Sequence, residues 1–264
     1  MSNDIVYRTL NMIESFPQDW ISDSVVLLGP TGSHAYGTAT KDSDDDVKGI
    51  VIPPISYHLG LDSFSEYNNT GGKNYKNTKD DLDLSLLHLN KFVKDAMAGV
   101  PNNIEMLFLP INNYFLLTYE GEQLIKHRHL FLSKQIMKKF GGFAKSQMIK
   151  MKEKNSNGAA RQDLVNAFGY DTKFFYNAVR LLKSAIEILN TGDYSTHRGD
   201  DIPLLMDCRN GLYTFYEAIR ILEQLDEQLK VAYENTKLPD EPDRKLVNDL
   251  LIELNSSFLS LRQC

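Results

Sequence analysis

Residues 25–37 read VVLLGPTGSHAYG, and residues 42–52 read DSDDDVKGIVI. Each stretch joins an apolar run to a turn of small or acidic residues, so we predict two buried strands with polar ends. Successive side chains on a strand point to opposite faces, so Asp44 and Asp46 share one face where the second strand begins. Because neighbouring carboxylates repel each other, this pattern indicates a cation between them.

The chemistry of these turns suits a phosphate group beside a divalent metal ion. Mg²⁺ is usually held by one or two protein carboxylates together with substrate phosphates. The Gly32-Ser33 turn offers backbone N–H groups and a hydroxyl to a phosphate, and a phosphate site beside Mg²⁺ serves nucleotidyl transfer. The alternative is a solvated turn, since Asp often accepts local backbone hydrogen bonds.

Five short motifs, spread over most of the chain, resemble those of a known family. They are Gly32-Ser33-x-x-Tyr36-Gly37-Thr38, Ser43-Asp44-x-Asp46-x-x-Gly49, Asn102-x-x-Glu105-x-Leu107, Gly169-Tyr170-Asp171-Thr172-Lys173 and Leu238-Pro239-Asp240-x-Pro242-Asp243. With them the chain resembles the DNA polymerase beta-like nucleotidyltransferases, and more closely the branch sometimes encoded beside RNA-repair ligases. The chain departs from this pattern at Asp45, where the family usually has a hydrophobic residue or Tyr, and at Phe174, where it often has His.

The resemblance implies a metal-dependent enzyme that transfers NMP from an NTP to an acceptor hydroxyl, with an RNA 3′ end as the favoured acceptor, and releases pyrophosphate. It implies that Asp44 and Asp46 are catalytic and bind Mg²⁺ or Mn²⁺, and that Gly32, Ser33 and Lys173 bind the nucleotide. Two alternatives stay open. One is nucleotidylation of a protein or a small molecule, and the other is a non-catalytic RNA- or nucleotide-binding module.

A third carboxylate is expected on a later strand, and the resemblance places it at Asp83. Spacing alone does not choose among Asp80, Asp81 and Asp83. The alternation over residues 82–86 puts Asp83 on the face opposite the leucines, which favours it over Asp81 as a catalytic residue and metal ligand.

Charge and composition limit the choice of partners and location. The chain has 264 residues, of which 42% are hydrophobic and 24% charged, as in ordinary globular proteins. No apolar run approaches the ~20 residues that span a membrane. The sequence has two cysteines and no evident secretory signal, so we predict a cytoplasmic protein without a membrane partner.

Basic residues concentrate in one segment of this acidic chain. Residues 134–161 contain eight Lys or Arg residues and Glu153 as the one acid, whereas the whole chain has a net charge of −6. Lys138, Lys145 and Lys152 recur every seven residues, so they share one helix face. They are candidates for binding an RNA acceptor, although a charged face is often only a solvated one.

The hydrophobic patterning predicts an α+β fold in two parts. Residues 1–115 should form the nucleotidyltransferase catalytic core, a small mixed β-sheet with flanking helices. Residues 116–264 should form a C-terminal helical domain that contacts nucleotide and substrate. The expected strands lie at 25–28, 47–52 and 82–86, the expected helices at 1–20, 89–97, 131–153, 170–190, 211–235 and 243–260, and an irregular excursion at 62–81.

Overall fold

Residues 3–16, 18–69, 82–152 and 159–261 are described in the structure, a computed structural model. Within them, one mixed sheet has the strand order β3-β4-β2-β1-β5. The strands are β1 (Val25–Pro30), β2 (Asp45–Val51), β3 (Glu66–Asn68), β4 (Leu82–His88) and β5 (Leu116–Leu117). The pair β2–β4 is parallel, and the other neighbours are antiparallel.

Helices flank this sheet and make up most of the chain after β5. They are α1 (Asn3–Glu14), α2 (Trp20–Ser24), α3 (Gly32–Tyr36), α4 (Ser56–Leu59), α5 (Leu89–Met97), α6 (Pro101–Leu107), α7 (Tyr119–Lys126), α8 (Gln135–Lys152), α9 (Ala159–Phe168), α10 (Thr172–Thr191), α11 (Ile202–Arg209), α12 (Phe215–Asn235) and α13 (Arg244–Ser260). Short 3₁₀ turns lie at Ile111–Asn113, Arg128–Phe131 and Gly199–Asp201. The predicted α+β class is confirmed, with a small mixed sheet and a helical C-terminal part.

The two faces of the sheet bury different apolar clusters. One face, which includes Leu28, Val47 and Leu84, packs against Ile5 and Ile13 of α1. The opposite face contributes Leu27, Ile50 and Leu87 to a larger cluster that continues through the helices as far as Phe258. This larger cluster therefore extends on both sides of the predicted boundary between residues 115 and 116.

The predicted excursion at 62–81 is only partly described. Its residues Glu66–Asn68 form β3, an edge strand that pairs antiparallel with β4. Residues 70–81, which include the alternative ligands Asp80 and Asp81, lie outside the described residues. No helix in the described ranges is long and apolar enough to cross a membrane.

Candidate active site

A cavity of about 330 Å³ opens where the polar end of the sheet meets α9, α10 and α11. The sheet side of the wall comes from the Gly-Ser turn and the acidic turn, and the helical side supplies several cations. The lining residues are Gly32, Ser33, Tyr36, Asp42, Ser43, Asp44, Asp46, Asn102, Arg161, Lys173, Tyr176, Asn177, Arg180 and Arg209. The cavity therefore gathers five predicted site residues: Gly32, Ser33, Asp44, Asp46 and Lys173.

The Gly-Ser turn lies directly against the second acid of the Asp-x-Asp motif. The backbone N–H of Thr31 donates to the carbonyl of Asp46 at 2.8 Å. Gly32 has φ +59°, and a Cβ added there would lie 2.5 Å from Asp46 Oδ2. Only glycine allows this backbone conformation and this approach at little cost, so the turn and the carboxylate form one unit.

The carboxylates act on one another across two parallel strands. Asp46 of β2 is in register with Asp83 of β4, and Asp83 is 8% exposed. Burial, followed by the charges of Asp83 and Asp44, raises the pKa of Asp46 to about 6, although Lys173 acts to lower it. The sheet thus holds mutually repelling acids at the edge of the cavity.

This donor set fits a divalent cation that the substrate helps to bind. Among the described residues, no three His, Cys, Asp or Glu side chains form a ready-made metal site. Mg²⁺ does not need one, because it commonly takes one or two protein carboxylates and completes its shell with phosphates and water. Asp44 and Asp46 at the cavity wall, with the Asp83 charge close behind, match that requirement.

Two neighbours of Asp46 on β2 have structural partners. The Asp45 carboxylate accepts a hydrogen bond from Arg8 Nη1 at 2.8 Å and lies 3.2 Å from His34 Nε2. Asp45 does not line the cavity, as expected for the position between Asp44 and Asp46, since successive strand side chains point to opposite faces. Lys48 is 8% exposed and donates to Asn103 Oδ1 at 2.7 Å, and burial lowers the pKa of Lys48 to about 8.

The start of α10 explains the Gly-Tyr-Asp-Thr-Lys motif. The buried Asp171 caps this helix by accepting hydrogen bonds from the backbone N–H groups of Lys173 at 2.9 Å and Phe174 at 3.3 Å. The cap orients the first turn, whose Lys173 side chain lines the cavity. A cation near a helix N-terminus opposes the helix dipole, and the acids at the cavity offset this effect, since Lys173 acts to lower the pKa of Asp46.

Two arginines complete the positive side of the cavity and were not predicted as site residues. Arg161 of α9 lies over the ring of Phe174, with its Cζ 4.6 Å from the ring centroid. Arg209 of α11 donates to the carbonyl of Thr38 at 2.9 Å. Arg161 belongs to the basic segment, which gave a partial signal, whereas no sequence motif marked Arg209.

The Asn102-x-x-Glu105 motif meets the Tyr36 motif in a buried polar network. Tyr36 donates from its hydroxyl to Glu105 Oε2 at 2.8 Å. Arg180 of α10 forms a hydrogen-bonded ion pair with the other carboxylate oxygen, and its guanidinium lies 3.9 Å from the centroid of the Tyr36 ring. The network joins α3, α6 and α10 beneath the cavity.

The three stripe lysines do not reach the cavity. Lys138, Lys145 and Lys152 are exposed on α8, and none of them lines it. Phe143 and Gln147 of the same helix line a second cavity beside the first. Since an α-helix turns by about 100° per residue, Lys145 lies about 200° from Phe143. The stripe therefore points away from the site, contrary to the expected contact with an acceptor held there.

A family model described as RNA repair pathway DNA polymerase beta family matches residues 3–253, nearly the whole chain. The chain belongs to the RNA repair pathway DNA polymerase beta family. This membership agrees with the expected resemblance and with a cavity that joins a Gly-Ser turn to an Asp-x-Asp pair. The family match thus supports the resemblance to the DNA polymerase beta-like nucleotidyltransferases.

Two further comparisons concern more distant or partial relatives of this family member. An uncharacterized 38.9 kDa protein from the nrdC-mobD intergenic region of Enterobacteria phage T4 is 34% identical over 138 residues, which are 51% of this chain and 40% of that protein. The match thus spans less than half of the curated relative. A solved nucleotidyltransferase-like protein from Exiguobacterium sibiricum 255-15 aligns with 98% of this chain and 78% of its own, at 12% identity and a TM-score of 0.32. That likeness is too low to support a functional argument.

Proposed function

We propose that this protein is a Mg²⁺-dependent nucleotidyltransferase that moves NMP from an NTP to an acceptor hydroxyl. An RNA 3′ end is the favoured acceptor, because the family is described by an RNA repair pathway. The observation that carries the proposal is the contact between Gly32 and the Asp46 carboxylate, in register with Asp83, in a cavity lined by Lys173 and arginines. This arrangement pairs acids for a metal with cations for phosphates.

The residues divide the work by charge. Ser33 and the backbone of Gly32 would bind the β- and γ-phosphates, and Lys173, Arg161 and Arg209 would neutralise them. Asp44 and Asp46 would hold Mg²⁺, with Mn²⁺ as a substitute and Asp83 as a further ligand. When bound, the metal would supply charge neutralisation on the triphosphate.

The transfer itself is a displacement at the α-phosphorus. The acceptor oxygen forms the new bond to this atom, the bond to the β-phosphate bridging oxygen breaks, and pyrophosphate leaves. Asp83, which does not line the cavity but is in register with Asp46 on the neighbouring strand, would accept the proton of the acceptor hydroxyl. Its role requires the ionised carboxylate that general bases supply.

A labelling experiment tests this function and separates the acceptors. The purified protein is incubated with each α-labelled NTP, with Mg²⁺ or Mn²⁺, and with RNA or RNA-free lysate. Label in RNA supports the proposal, label in protein or in a small molecule supports the alternative acceptor, and nucleotide binding without any transfer indicates a binding module. Asp46→Asn and Asp83→Asn should abolish transfer, whereas the exposed Asp62→Asn should not.

The position of the stripe lysines supports a second candidate function, in which the acceptor is a protein or a small molecule. Because these lysines point away from the cavity, the double variant Lys138→Glu/Lys145→Glu should transfer NMP to a short acceptor at the wild-type rate. If the double reversal instead abolishes transfer to RNA and leaves NTP affinity unchanged, a longer RNA is bound along α8.

A further inference from the structure

A second cavity, of about 190 Å³, lies beside the candidate active site. The two cavities share Asn102, Asn177 and Arg180 in their walls. The outer wall of the second one comes from Phe143 and Gln147 of α8. A ligand whose charged end occupies the first cavity can therefore place an uncharged end in the second.

Three side-chain amides converge on this second cavity. Asn102, Gln147 and Asn177 form no side-chain hydrogen bond with another residue in the described part of the chain. The neighbouring Asn103 shows the contrast, because its amide accepts from Lys48 and donates to the Phe92 carbonyl at 3.1 Å. Each free amide offers both donors and an acceptor, so the cavity suits a flat polar ligand.

An aromatic side chain stands next to these amides. Phe143 is 48% exposed, whereas Phe140, three residues earlier on α8, is fully buried. Aromatic rings at the rim of a nucleotide site stack on bases irrespective of sequence, and Asn and Gln amides pair with base edges. The remaining cation, Arg180, is already paired with Glu105, so the chemistry favours an uncharged ring system over a second phosphate.

We propose that the second cavity binds a nucleobase, stacked on Phe143 and hydrogen-bonded by Asn102, Gln147 and Asn177. This inference rests on the proposed function, since it takes the phosphates of the same ligand to lie in the first cavity. The base belongs either to the incoming NTP or to the terminal nucleotide of the acceptor. Phe143 supplies affinity for any base, and the amides select among bases.

Equilibrium binding, measured without turnover, tests the subsite and identifies the source of the base. The affinities of the wild type for the four NTPs, inorganic triphosphate and a short RNA are compared with those of Phe143→Ala, Phe143→Trp and Ile149→Ala. Ile149 is a matched control because it lies on the same helix, is 46% exposed and lines neither cavity. Phe143→Ala should weaken one ligand about tenfold, and Phe143→Trp should retain its affinity.

The affected ligand names the source, because a loss for NTPs alone assigns the base to the donor and a loss for RNA alone assigns it to the acceptor. Gln147→Leu and Asn177→Leu should alter the preference among bases. The subsite is overturned if Phe143→Ala and Ile149→Ala bind all ligands alike. Such a result, together with label transfer by the wild type, would leave the proposed function standing. Base-dependent binding without transfer would support the subsite and overturn the proposed function. A wild type that binds no nucleotide would overturn both the subsite and the proposed function.

Discussion

Gly32 is the residue at which the smallest change should have the largest functional effect. Gly32→Ala places a Cβ 2.5 Å from Asp46 Oδ2 on a backbone with φ +59°. We expect a stability loss of about 1–2 kcal/mol from the left-handed conformation. We also expect loss of nucleotide binding, because the added methyl group displaces the Asp46 carboxylate from the metal site and blocks the approach of phosphates to the turn backbone.

Gly142→Ala is the matched control for this change, measured by urea unfolding and nucleotide titration. Gly142 lies inside α8, where an added Cβ has no neighbour within 4 Å. Alanine there should stabilise the helix by about 0.5–1 kcal/mol and leave nucleotide affinity unchanged. Equal nucleotide affinity in the two variants would show that the Gly32 turn does not bind the phosphates.

Asp46 should give the metal-free protein a characteristic pH dependence. The pKa of its carboxyl is about 6 in the folded chain and about 4 in an unfolded one. A carboxyl whose pKa is raised by folding favours the folded state at low pH, and that contribution is lost as the pH rises from about 4 to about 6. We expect a loss of about 1–3 kcal/mol over this window once solvent screening is included.

Asp46→Asn removes this loss, so its stability relative to the wild type should increase across the same window. Urea unfolding in EDTA at about pH 4 and about pH 7.5 measures the difference. Asp62→Asn, at an exposed position outside the cavity, should show no such increase. A wild-type-minus-variant difference that is the same at both pH values would contradict the raised pKa.

At the scale of elements, two helices with the same type of N-cap can be compared: α10, whose first turn lines the cavity, and α13, whose first turn does not. Asp243 caps α13 as Asp171 caps α10, with its side chain accepting from Lys245 N at 2.9 Å and Leu246 N at 3.1 Å. Replacement of either Asp by Ala should cost about 0.5–2 kcal/mol. Only Asp171→Ala should also weaken NTP binding, because Lys173 follows that cap into the cavity. Calorimetric titration with an NTP distinguishes the two, and equal affinities would remove α10 from the phosphate site.

Elements governed by local patterning could be predicted from the sequence. The helix at Leu89–Met97 has the predicted bounds, because its apolar spacing and the following Gly-Val-Pro define it locally. The strand expected from Val47 begins at Asp45 instead, since parallel pairing with β4 extends it to the register Asp45↔Leu82. Such pairing depends on residues that are distant in the sequence, so local patterns do not predict it.

The residues of the candidate site also divide into those set by local sequence and those set by tertiary packing. The motifs identified Gly32, Ser33 and Lys173 at the cavity, because a turn and a capped helix are local features. Arg209 was missed since its position depends on how α11 packs against α10. For the lysine stripe, periodicity defined a common helix face correctly, but only tertiary packing decides which neighbour that face meets.

At the scale of the whole molecule, a buried ion pair links the sheet part to the helical part. Glu105 of α6 and Arg180 of α10 are 4% and 5% exposed. Glu105→Met leaves the arginine charge buried without its partner, so we expect a loss of about 3–5 kcal/mol in the free energy of unfolding. The double variant Glu105→Met/Arg180→Met buries no charge and should lose much less than the two single variants together.

A urea-unfolding double-mutant cycle measures this coupling. Lys245→Met with Asp249→Met is the control cycle, because that exposed pair on α13 should couple by less than about 1 kcal/mol. Near-additive losses at positions 105 and 180 would show that the buried pair does not hold the two parts together.

The same pair also constrains how the sequence can diverge. Its members are 75 positions apart in the chain, yet the loss of either charge alone leaves the other charge buried without its partner. A lineage that replaces one member alone should therefore lose much folding stability, whereas simultaneous loss of both charges should cost much less. In an alignment of the family, positions 105 and 180 should accordingly covary: relatives that lack the acid should also lack the arginine. Tyr36 should vary with them, since its hydroxyl would lose its acceptor.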